Sequence, residues 1–344
     1  MAPVIRACQK KGVTFSVLHT GQHYSYEMDR IFFEELSLPL PDYNLDVGSG
    51  THAEQTGAIM TGIEKVFLQD SPDVVLVQGD TNTVLAGGLV GAKMHIPVGH
   101  VEAGLRSYDR RMPEEINRVV VDHVSDYLFA PTEDSCQNLV REGIDGSKIF
   151  ITGNTVVDAL LQNREIAGGK SPILKKLGLT SGQYLLVTAH RSENVDEKTR
   201  LKMIISGIRQ VSEVYGLQVI FPMHPRTQKM MQEFNISSEG ICIISPVGYL
   251  DFLELEAHAW LILTDSGGVQ EEACILQVPC ITLRENTERP ETVDVGGNIL
   301  AGSDSNRIIA AAQKMVSSSR SWFNPYGDGI AGTQIVEICS SAIQ

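Results

Sequence analysis

The hydrophobic and polar positions of the chain alternate between short apolar runs and longer stretches with an apolar residue every three or four positions. Short runs at 148–152, 184–188 and 219–222 are typical of strands covered on both faces, which need no polar alternate positions. Ile59, Ile63 and Phe67 share one face of an amphipathic helix. The repeated order of strand, polar turn and helix predicts an α/β fold built on parallel sheets.

One long pattern occurs twice. Residues 72–106 and 259–289 both run apolar strand, Asp with a hydroxyl residue, helix, Ile-Pro or Val-Pro, strand, and a loop with Glu and Arg. The length of 344 residues also exceeds the roughly 250–300 at which one hydrophobic core stops growing. We therefore expect two similar α/β domains that face each other across a ligand cleft, with their sites at the carboxyl ends of the strands.

The domain boundaries are predicted from composition. The segment Ala167-Gly-Gly-Lys-Ser-Pro172 resembles a linker and is the expected hinge. A final helix follows the turn Asn324-Pro-Tyr-Gly-Asp-Gly329 and is expected to cross back to the first domain. The prediction is a first domain of residues 1–166 plus 323–344 and a second domain of residues 167–322.

The start of the chain predicts a helix that ends at Gly12, a strand at 13–20 and a further helix at 28–36. A doubly wound domain normally begins with a strand and a loop instead. We therefore expect that a segment of the first domain belongs in front of Met1.

Composition excludes several classes of partner. Hydrophobic residues make up 42% and charged residues 20%, as in globular proteins, while the net charge of −14 argues against nucleic acid or an anionic membrane as the main partner. We recognise neither a transmembrane run nor a signal peptide, so the expected compartment is the cytoplasm. The six cysteines form no Cys-x-x-Cys pair, which favours buried free thiols and predicts no structural metal.

The stretch Leu263-Thr-Asp-Ser-Gly-Gly-Val-Gln-Glu-Glu-Ala273 combines a strand end, two glycines and a helix start. Unpaired N–H groups and the helix dipole favour an anion there, and glycines allow a phosphate to approach. Glu271 or Glu272, one turn further on, could accept hydrogen bonds from a ribose diol. The alternative is an ordinary strand–turn–helix corner.

Many polar residues lie at or just beyond predicted strand ends. Each has an ordinary explanation, such as a helix cap for Asp80, a solvated first-turn carboxylate for Glu114, or loop hydrogen bonding for His224, Gln22 and His23. Together, however, they would place carboxylates of one domain opposite a phosphate-type site of the other. The set at the strand ends comprises Asp80, Glu102, Glu114, Glu115, His190, His224, Asp265, Glu271, Glu272, Glu288 and Arg289.

Seven ordered motifs carry a family resemblance. They are Gly79-Asp-Thr-Asn-Thr, Pro97-Val-Gly-His-Val-Glu-Ala-Gly-Leu-Arg106, Met112-Pro-Glu-Glu-Ile-Asn-Arg118, Ile151-Thr-Gly-Asn-Thr155, Thr264-Asp-Ser-Gly-Gly-Val-Gln-Glu-Glu272, Asn286-Thr-Glu-Arg-Pro-Glu291 and Asn324-Pro-Tyr-Gly-Asp-Gly329. The chain resembles the non-hydrolysing UDP-N-acetylglucosamine 2-epimerases, and the archaeal type in particular, from Met1 to the last helix. The resemblance implies two Rossmann-like domains in the glycosyltransferase-B arrangement and a cytoplasmic homodimer. It also implies interconversion of UDP-N-acetylglucosamine and UDP-N-acetylmannosamine for cell-surface polysaccharide, without a cofactor or a metal.

The resemblance also implies roles for individual residues. The implied catalytic residues are Asp80, Glu102, Glu114 and His224. Those implied in substrate binding are Ser266, Gly267 and Gly268 at the phosphate, Glu272 at the ribose, Phe252 at the uracil, and Arg191 and Arg289 near the diphosphate. Gln22 and His23 match part of a second UDP-N-acetylglucosamine site that regulates some bacterial members.

Inversion at C2 by elimination removes a proton from one face of the sugar, expels UDP from C1 and returns a proton to the other face. Two carboxylates on opposite faces can act as base and acid in turn, and a helix N-terminus can stabilise the departing UDP. The sequence leaves open which carboxylate serves which face.

Two departures from the family pattern bear on the expected function. Members begin with a strand and a Gly-Thr-Arg-Pro-Glu loop whose arginine helps to hold the diphosphate, and this sequence starts just after it. The helix near Met60 also lacks an arginine that regulated members carry. The alternatives are a hydrolysing epimerase that releases ManNAc and UDP, a retaining glycosyltransferase, and a UDP-sugar-binding protein that is inactive without the upstream segment.

Overall fold

The computed structural model describes residues 1–21, 33–34, 36–317 and 321–343. Contacts divide the chain into two compact units. Unit 1 comprises Met1–Leu161 and Tyr326–Gln344, and unit 2 comprises Gln162–Pro325. The structural division therefore falls after Leu161 and after Pro325, whereas composition placed it after residues 166 and 322.

Within its described residues, unit 1 contains two parallel sheets, one of two strands in the order β1-β2 and one of four strands in the order β3-β4-β5-β6. Its strands are β1 Leu18–His19, β2 Tyr43–Asn44, β3 Val75–Gln78, β4 Val98–Val101, β5 Tyr127–Ala130 and β6 Ile149–Ile151. The helices with bounds in the described residues up to Lys170 are α1 Ala2–Lys11, α2 His52–Asp70, α3 Asn82–Lys93, α4 Pro113–Val124, α5 Glu133–Arg141 and α6 Thr155–Lys170, of which α6 continues into unit 2.

Unit 2 contains one six-stranded parallel sheet. Its strands are β7 Tyr184–Thr188, β8 Gln218–Pro222, β9 Ile241–Ile244, β10 Leu261–Thr264, β11 Cys280–Thr282 and β12 Asn298–Leu300. Its helices are α7 Ile173–Leu177, α8 Ser192–Val195, α9 Lys198–Tyr215, α10 Pro225–Glu233, α11 Tyr249–Ala257, α12 Gly267–Ile275, α13 Pro290–Asp294 and α14 Ser305–Ser317.

The strand order β12-β11-β10-β7-β8-β9 is the order of a doubly wound Rossmann sheet, because the chain starts in the middle and builds outward in both directions. Its switch point lies between β7 and β10, which pair from Leu185 and Leu261 to Thr188 and Thr264. Ligands of such sheets bind outside the carboxyl ends of the strands at this point. The predicted α/β class with parallel sheets and Rossmann-like units is confirmed.

The last helix, α15 Ala331–Ile343, packs against α1 within unit 1. The side chains of Lys11 and Glu337 form an ion pair of 2.7 Å between the two helices. A Cβ atom added to Gly332 would lie 2.9 Å from the backbone of Pro3, so glycine permits the close approach. The two separate chain segments of unit 1 thus share one hydrophobic cluster, which includes Val4 and Ile335.

The structure corrects two local predictions and leaves a third untested. The expected linker is wrong for residues 167–170, which form the last turn of α6, with the side chain of Ala167 fully buried. The strand predicted at 13–20 is reduced to Leu18–His19. The helix predicted at 28–36 falls largely outside the described residues.

The predicted free thiols are confirmed, and Cys8, Cys274, Cys280 and Cys339 are buried. Among the helices of the described residues, none combines the length and the hydropathy that a membrane span requires.

Candidate active site

The site of unit 2 is built at the switch point of its sheet. Strand β10 ends at Thr264, Asp265 follows, and Ser266 is the N-cap of α12. Among the described residues, no capping hydrogen bond forms at the Ser266 side chain, and added Cβ atoms on Gly267 and Gly268 would meet only side-chain atoms at 3.6 and 4.0 Å. The first turn of α12 therefore presents N–H groups at the edge where an anion is expected.

Asp265 anchors the loop that follows β7. Its buried carboxylate accepts hydrogen bonds from the backbone N–H groups of His190 and Arg191 at 3.0 Å and from the Asn194 side chain at 3.1 Å. Burial alone would raise the pKa of Asp265, but these hydrogen bonds and the nearby His190 ring lower it overall. Asp265 thereby fixes His190 and Arg191 next to the start of α12.

A cavity of about 270 Å³ lies beside this helix start. Its wall has polar groups from His190, His224 and Ser266 and an aromatic face from Phe252. Phe252 and Ser266, which were predicted from sequence, therefore border one cavity. Its lining residues are Thr188, Ala189, His190, Pro222, His224, Pro246, Val247, Phe252, Ser266 and Val269.

His224 is the last residue of the loop after β8, whereas residues 225–227 of the predicted loop form the first turn of a helix. It is the N-cap of α10, where its Nδ1 accepts a hydrogen bond of 3.2 Å from the backbone N–H of Arg226. The centroid of its ring lies 6.3 Å from that of His190. The cap leaves Nε2 as the nitrogen that can face a ligand.

The two predicted arginines are held by carboxylates. The guanidinium of Arg289 donates a 3.0 Å hydrogen bond to Glu271, and that of Arg191 lies 3.7 Å from Glu288. The contact with Arg289 engages Glu271, so Glu272 is the better candidate for a ribose diol. Sequence analysis missed Arg284, which is buried and bonds Glu288 at 2.7 Å.

In unit 1, the predicted carboxylates Asp80 and Glu102 follow the neighbouring strands β3 and β4. The Gln78 side chain donates hydrogen bonds to Glu102 at 2.6 Å and to Thr155 at 3.0 Å. Glu102 adopts a φ of 71°, a left-handed conformation that costs energy for a residue with a Cβ. Such strain is common at functional sites, and here it orients the Glu102 side chain towards Gln78.

Asp80 is tied to helix α4. Arg118 forms ion pairs with both Asp80 and Glu115, and the Asn117 side chain donates a 2.8 Å hydrogen bond to the Asp80 carbonyl. Glu115 is only 3% exposed and accepts backbone hydrogen bonds of 2.9 Å from Ser107 and Tyr108. The exposed Glu114 borders a second cavity of about 300 Å³, together with Thr81, Asn82 and Asn117.

A buried network that the sequence analysis missed supports the turn at Gly79 and Asp80, which follows β3. The His100 ring lies 2.6 Å from the Asp122 carboxylate through Nδ1 and 2.8 Å from the Gly79 carbonyl through Nε2. Asp122 also accepts a bond from the backbone N–H of Gly104 and pairs with Arg106 at 2.7 Å. Because both ring nitrogens face acceptors, His100 holds Gly79, and thus the Asp80 turn, in place.

Within each unit, the structure brings predicted residues together. In unit 1, Asp80 and Glu102 follow neighbouring strands, and Glu114 borders the second cavity. In unit 2, His224, Phe252 and Ser266 line one cavity. Gly267, Gly268 and Glu272 lie on the helix that begins there, and Arg191 and Arg289 pair with Glu288 and Glu271. Gln22 and His23 lie outside the described residues. A Rossmann-like unit with an uncapped helix start beside a cavity that has an aromatic wall, in a chain that also carries carboxylates after neighbouring strands, defines the class of α/β enzymes that act on nucleotide-linked substrates.

Comparison with known proteins narrows this class. The family model described as UDP-N-acetylglucosamine 2-epimerase matches residues 6–340. The chain is 58% identical to the UDP-N-acetylglucosamine 2-epimerase of Methanocaldococcus jannaschii, with 98% of this chain and 94% of that protein covered. The chain belongs to the UDP-N-acetylglucosamine 2-epimerase family.

Two further similarities bear on the substrate. A crystal structure described as the Methanocaldococcus jannaschii UDP-GlcNAc 2-epimerase in complex with UDP-GlcNAc and UDP matches with a TM-score of 0.83 and 58% identity, covering 99% of this chain and 95% of that chain. The UDP-2,3-diacetamido-2,3-dideoxy-D-glucuronate 2-epimerase of Pseudomonas aeruginosa is 42% identical, with 93% of this chain and 90% of that protein covered.

Proposed function

We propose that the protein interconverts UDP-N-acetylglucosamine and UDP-N-acetylmannosamine by epimerisation at C2. The observation that carries the proposal is the 58% identity over 98% of the chain to an enzyme of that name, together with an aromatic cavity beside the open start of α12. The higher identity to this enzyme than to the diacetamido-glucuronate epimerase, 58% against 42%, favours UDP-N-acetylglucosamine as the substrate.

Unit 2 is proposed to bind the UDP group. The Ser266 hydroxyl and the N–H groups of Gly267 and Gly268 suit a phosphate, and Arg191, Arg289 and His224 add positive or hydrogen-bonding groups for the diphosphate. Phe252 offers an apolar face to the uracil, and Glu272 accepts hydrogen bonds from the ribose diol. The contacts at the diphosphate strengthen as UDP departs with its negative charge, which is where catalysis needs them, whereas Phe252 and Glu272 hold the uridine in place throughout.

Unit 1 is proposed to supply the acid and base. One carboxylate among Asp80, Glu102 and Glu114 removes the proton from C2, the C2–H electron pair forms the C1–C2 double bond, and the C1–O bond breaks to release UDP. UDP then adds back to C1 while a second carboxyl group, which starts the step protonated, gives its proton to the opposite face of C2 and becomes a carboxylate. Arg118 and His100 fix the Asp80 turn, and Gln78 fixes Glu102, so both groups are positioned before the substrate binds.

The remaining assignments follow from the family resemblance. We propose a cytoplasmic homodimer whose product supplies cell-surface polysaccharide, and a division of labour between a catalytic first domain and a UDP-binding second domain.

Proton exchange at C2 tests the activity. In deuterated water, UDP-N-acetylglucosamine should become UDP-N-acetylmannosamine with deuterium at C2. ¹H NMR measures the loss of the C2 proton signal of the sugar. Free ManNAc and UDP as products would instead identify a hydrolysing enzyme, and retention of the C2 proton would contradict epimerisation by elimination. The same assay with UDP-2,3-diacetamido-2,3-dideoxy-D-glucuronate should show much slower turnover, and the reverse preference would reassign the substrate.

A further inference from the structure

Glu256, on helix α11, is a buried carboxyl group to which no part of the proposed reaction assigns a role. It has 0% exposure, and neither side-chain oxygen receives a hydrogen bond from any donor within the described ranges of the chain. A buried ionised carboxylate without a donor is costly, so this side chain needs either a proton or a partner.

Tyr249 and Glu256 are seven residues apart on α11 and therefore share the face of that helix from which Tyr249 reaches Glu272, the proposed ribose ligand. Burial, followed by the charge of Glu272 and the hydrogen bond with it, raises the pKa of Glu256 well above its ordinary value. Burial also raises the pKa of Glu272 to about 7, although the hydrogen bond from Glu256 acts in the opposite direction. The Tyr249 hydroxyl lies 3.5 Å from Glu272 on the same side.

Other titratable groups near the pair stay neutral around pH 7. Burial raises the pKa of Tyr249 on α11, Tyr184 on β7 and Cys280 on β11 further above their ordinary values. The remaining charged neighbour of Glu272 on its own helix is Glu271, which Arg289 pairs at 3.0 Å. Two ionised carboxylates at Glu256 and Glu272 would repel each other in this apolar site, and one proton between them removes the repulsion.

We propose that Glu256 is a positioning residue that retains a proton and donates it in a hydrogen bond to Glu272, which holds the Glu272 carboxylate ready for the ribose diol. The inference rests on the proposed function, because it deepens the description of the UDP-binding site. One oxygen of Glu272 accepts from Glu256, and its other lone pairs accept from the two ribose hydroxyls.

The arrangement makes binding of the diol depend on pH. Below about pH 7 Glu272 gains a proton of its own and loses part of its capacity to accept hydrogen bonds. Above that pH it is ionised while Glu256 keeps its proton, so affinity rises. Uridine is the suitable probe, since it has the diol but lacks the phosphates whose ionisation would obscure the effect.

The experiment compares uridine with 2′,3′-dideoxyuridine across pH 5.5–8.5 by NMR titration of the whole chain, in the wild type, Glu256→Gln and Glu256→Leu. Uridine affinity of the wild type should rise through about pH 7, and that of dideoxyuridine should stay flat. Glu256→Gln should match the wild type, because its amide also donates to Glu272. Glu256→Leu should bind uridine about tenfold more weakly at pH 7, with the midpoint moved to higher pH.

Three results would overturn this inference and leave the proposed function intact. They are uridine affinity of Glu256→Leu equal to that of the wild type, the same loss of uridine affinity in Glu256→Gln as in Glu256→Leu, and uridine affinity that does not change with pH in a protein that binds UDP. Failure to bind UDP at any pH would instead overturn the proposed function. Infrared spectroscopy at pH 8.5 gives a check that needs no ligand. A protonated carboxylic acid band should be present in the wild type and missing in Glu256→Gln, and its absence from the wild type would refute the proton assignment.

Discussion

Nε2 of His100 lies 2.8 Å from the carbonyl oxygen of Gly79, the residue that precedes Asp80. The other ring nitrogen meets Asp122, so a fully buried side chain in the centre of β4 connects helix α4 to the turn after β3. Gly79 has a φ of +85°, and the His100 contact holds this left-handed turn in its position.

Replacement of His100 by leucine should lower the free energy of unfolding by about 3–5 kcal/mol, because it leaves the buried Asp122 without one of its partners. Urea denaturation measures the change. The control is His123→Leu on the same helix as Asp122, where the exposed ring contacts the Val119 carbonyl of its own helix and a change within about 0.5 kcal/mol is expected. Equal losses in the two variants would contradict a structural role for the buried histidine.

Asp80→Asn and Glu102→Gln should each lower kcat by about a hundredfold to ten-thousandfold, because each removes one group of an acid–base pair. UDP affinity, measured by calorimetry, should change by less than about threefold, since UDP is assigned to other residues. Asp73→Asn, an exposed residue just before β3, is the matched control and should keep full turnover. Wild-type turnover in both site variants would refute the assignment of the carboxylates.

Glu115→Gln should destabilise the protein in a pH-dependent way. Burial alone would raise the pKa of Glu115. Hydrogen bonds from Ser107 and Tyr108 and the charge of Arg118 outweigh burial, so the pKa of Glu115 lies below its ordinary value of 4.5. The stabilisation by the ionised form is therefore complete above about pH 4.5 and is lost as the pH falls through the lower folded-state pKa.

Urea unfolding at pH 7 and at several pH values from 5 downward tests whether the stabilisation by Glu115 is lost on acidification. The gap between wild type and Glu115→Gln, about 1–3 kcal/mol at pH 7, should narrow only below about pH 4.5. A gap that widens on acidification would show that burial outweighs the hydrogen bonds.

Thiol reactivity should divide the six cysteines into two groups. Burial raises the pKa of Cys274 and Cys339 to about 12, so the reactive thiolate is scarce at pH 8, and Cys8 and Cys280 are also buried. Cys136 and Cys242 are partly exposed. Titration with a disulfide reagent should label at most these two promptly and all six in denaturant. Prompt reaction of Cys274 would contradict the packing around α12.

Sequence pattern predicted the strands of unit 2 well, because buried parallel strands are continuous apolar runs. Residues 184–188 coincide with β7, and the strand, turn and helix around Thr264 and Ser266 form as expected. Phe252 was located through the family resemblance and not through the hydrophobic pattern, because no local pattern identifies an aromatic side chain as part of a cavity wall.

Composition failed where tertiary packing overrides propensity. Gly168, Gly169 and Ser171 suggested a linker, yet helix α6 continues to Lys170 because Ala167 is buried and its carbonyl accepts a 2.7 Å bond from the Ser171 N–H. His224 was assigned to a loop, although His-Pro at a helix start is compatible with a cap and a first-turn proline.

Buried polar partners were not predictable either. A histidine within the apolar run Val98-Gly-His-Val101 signals a satisfied core group, but its partner Asp122 lies 22 positions later on α4. Glu256 lies on α11 among alternating leucines and acidic residues, and its relation to Glu272 depends on the packing of α11 against α12. Such pairs arise from three-dimensional contacts that periodicity along one element does not encode.

Because α1 packs against α15, the two units complete their folding cores at different stages of synthesis. Unit 2 is one continuous segment, so all of its residues have left the ribosome when Pro325 emerges. The core of unit 1 stays incomplete after its first 161 residues are synthesised, because α15 is made later and packs against Val4 and Ala7. Shortening the chain from its carboxyl end should therefore expose the core of the carboxylate-bearing unit, while the Rossmann sheet that carries Ser266 still has every one of its strands.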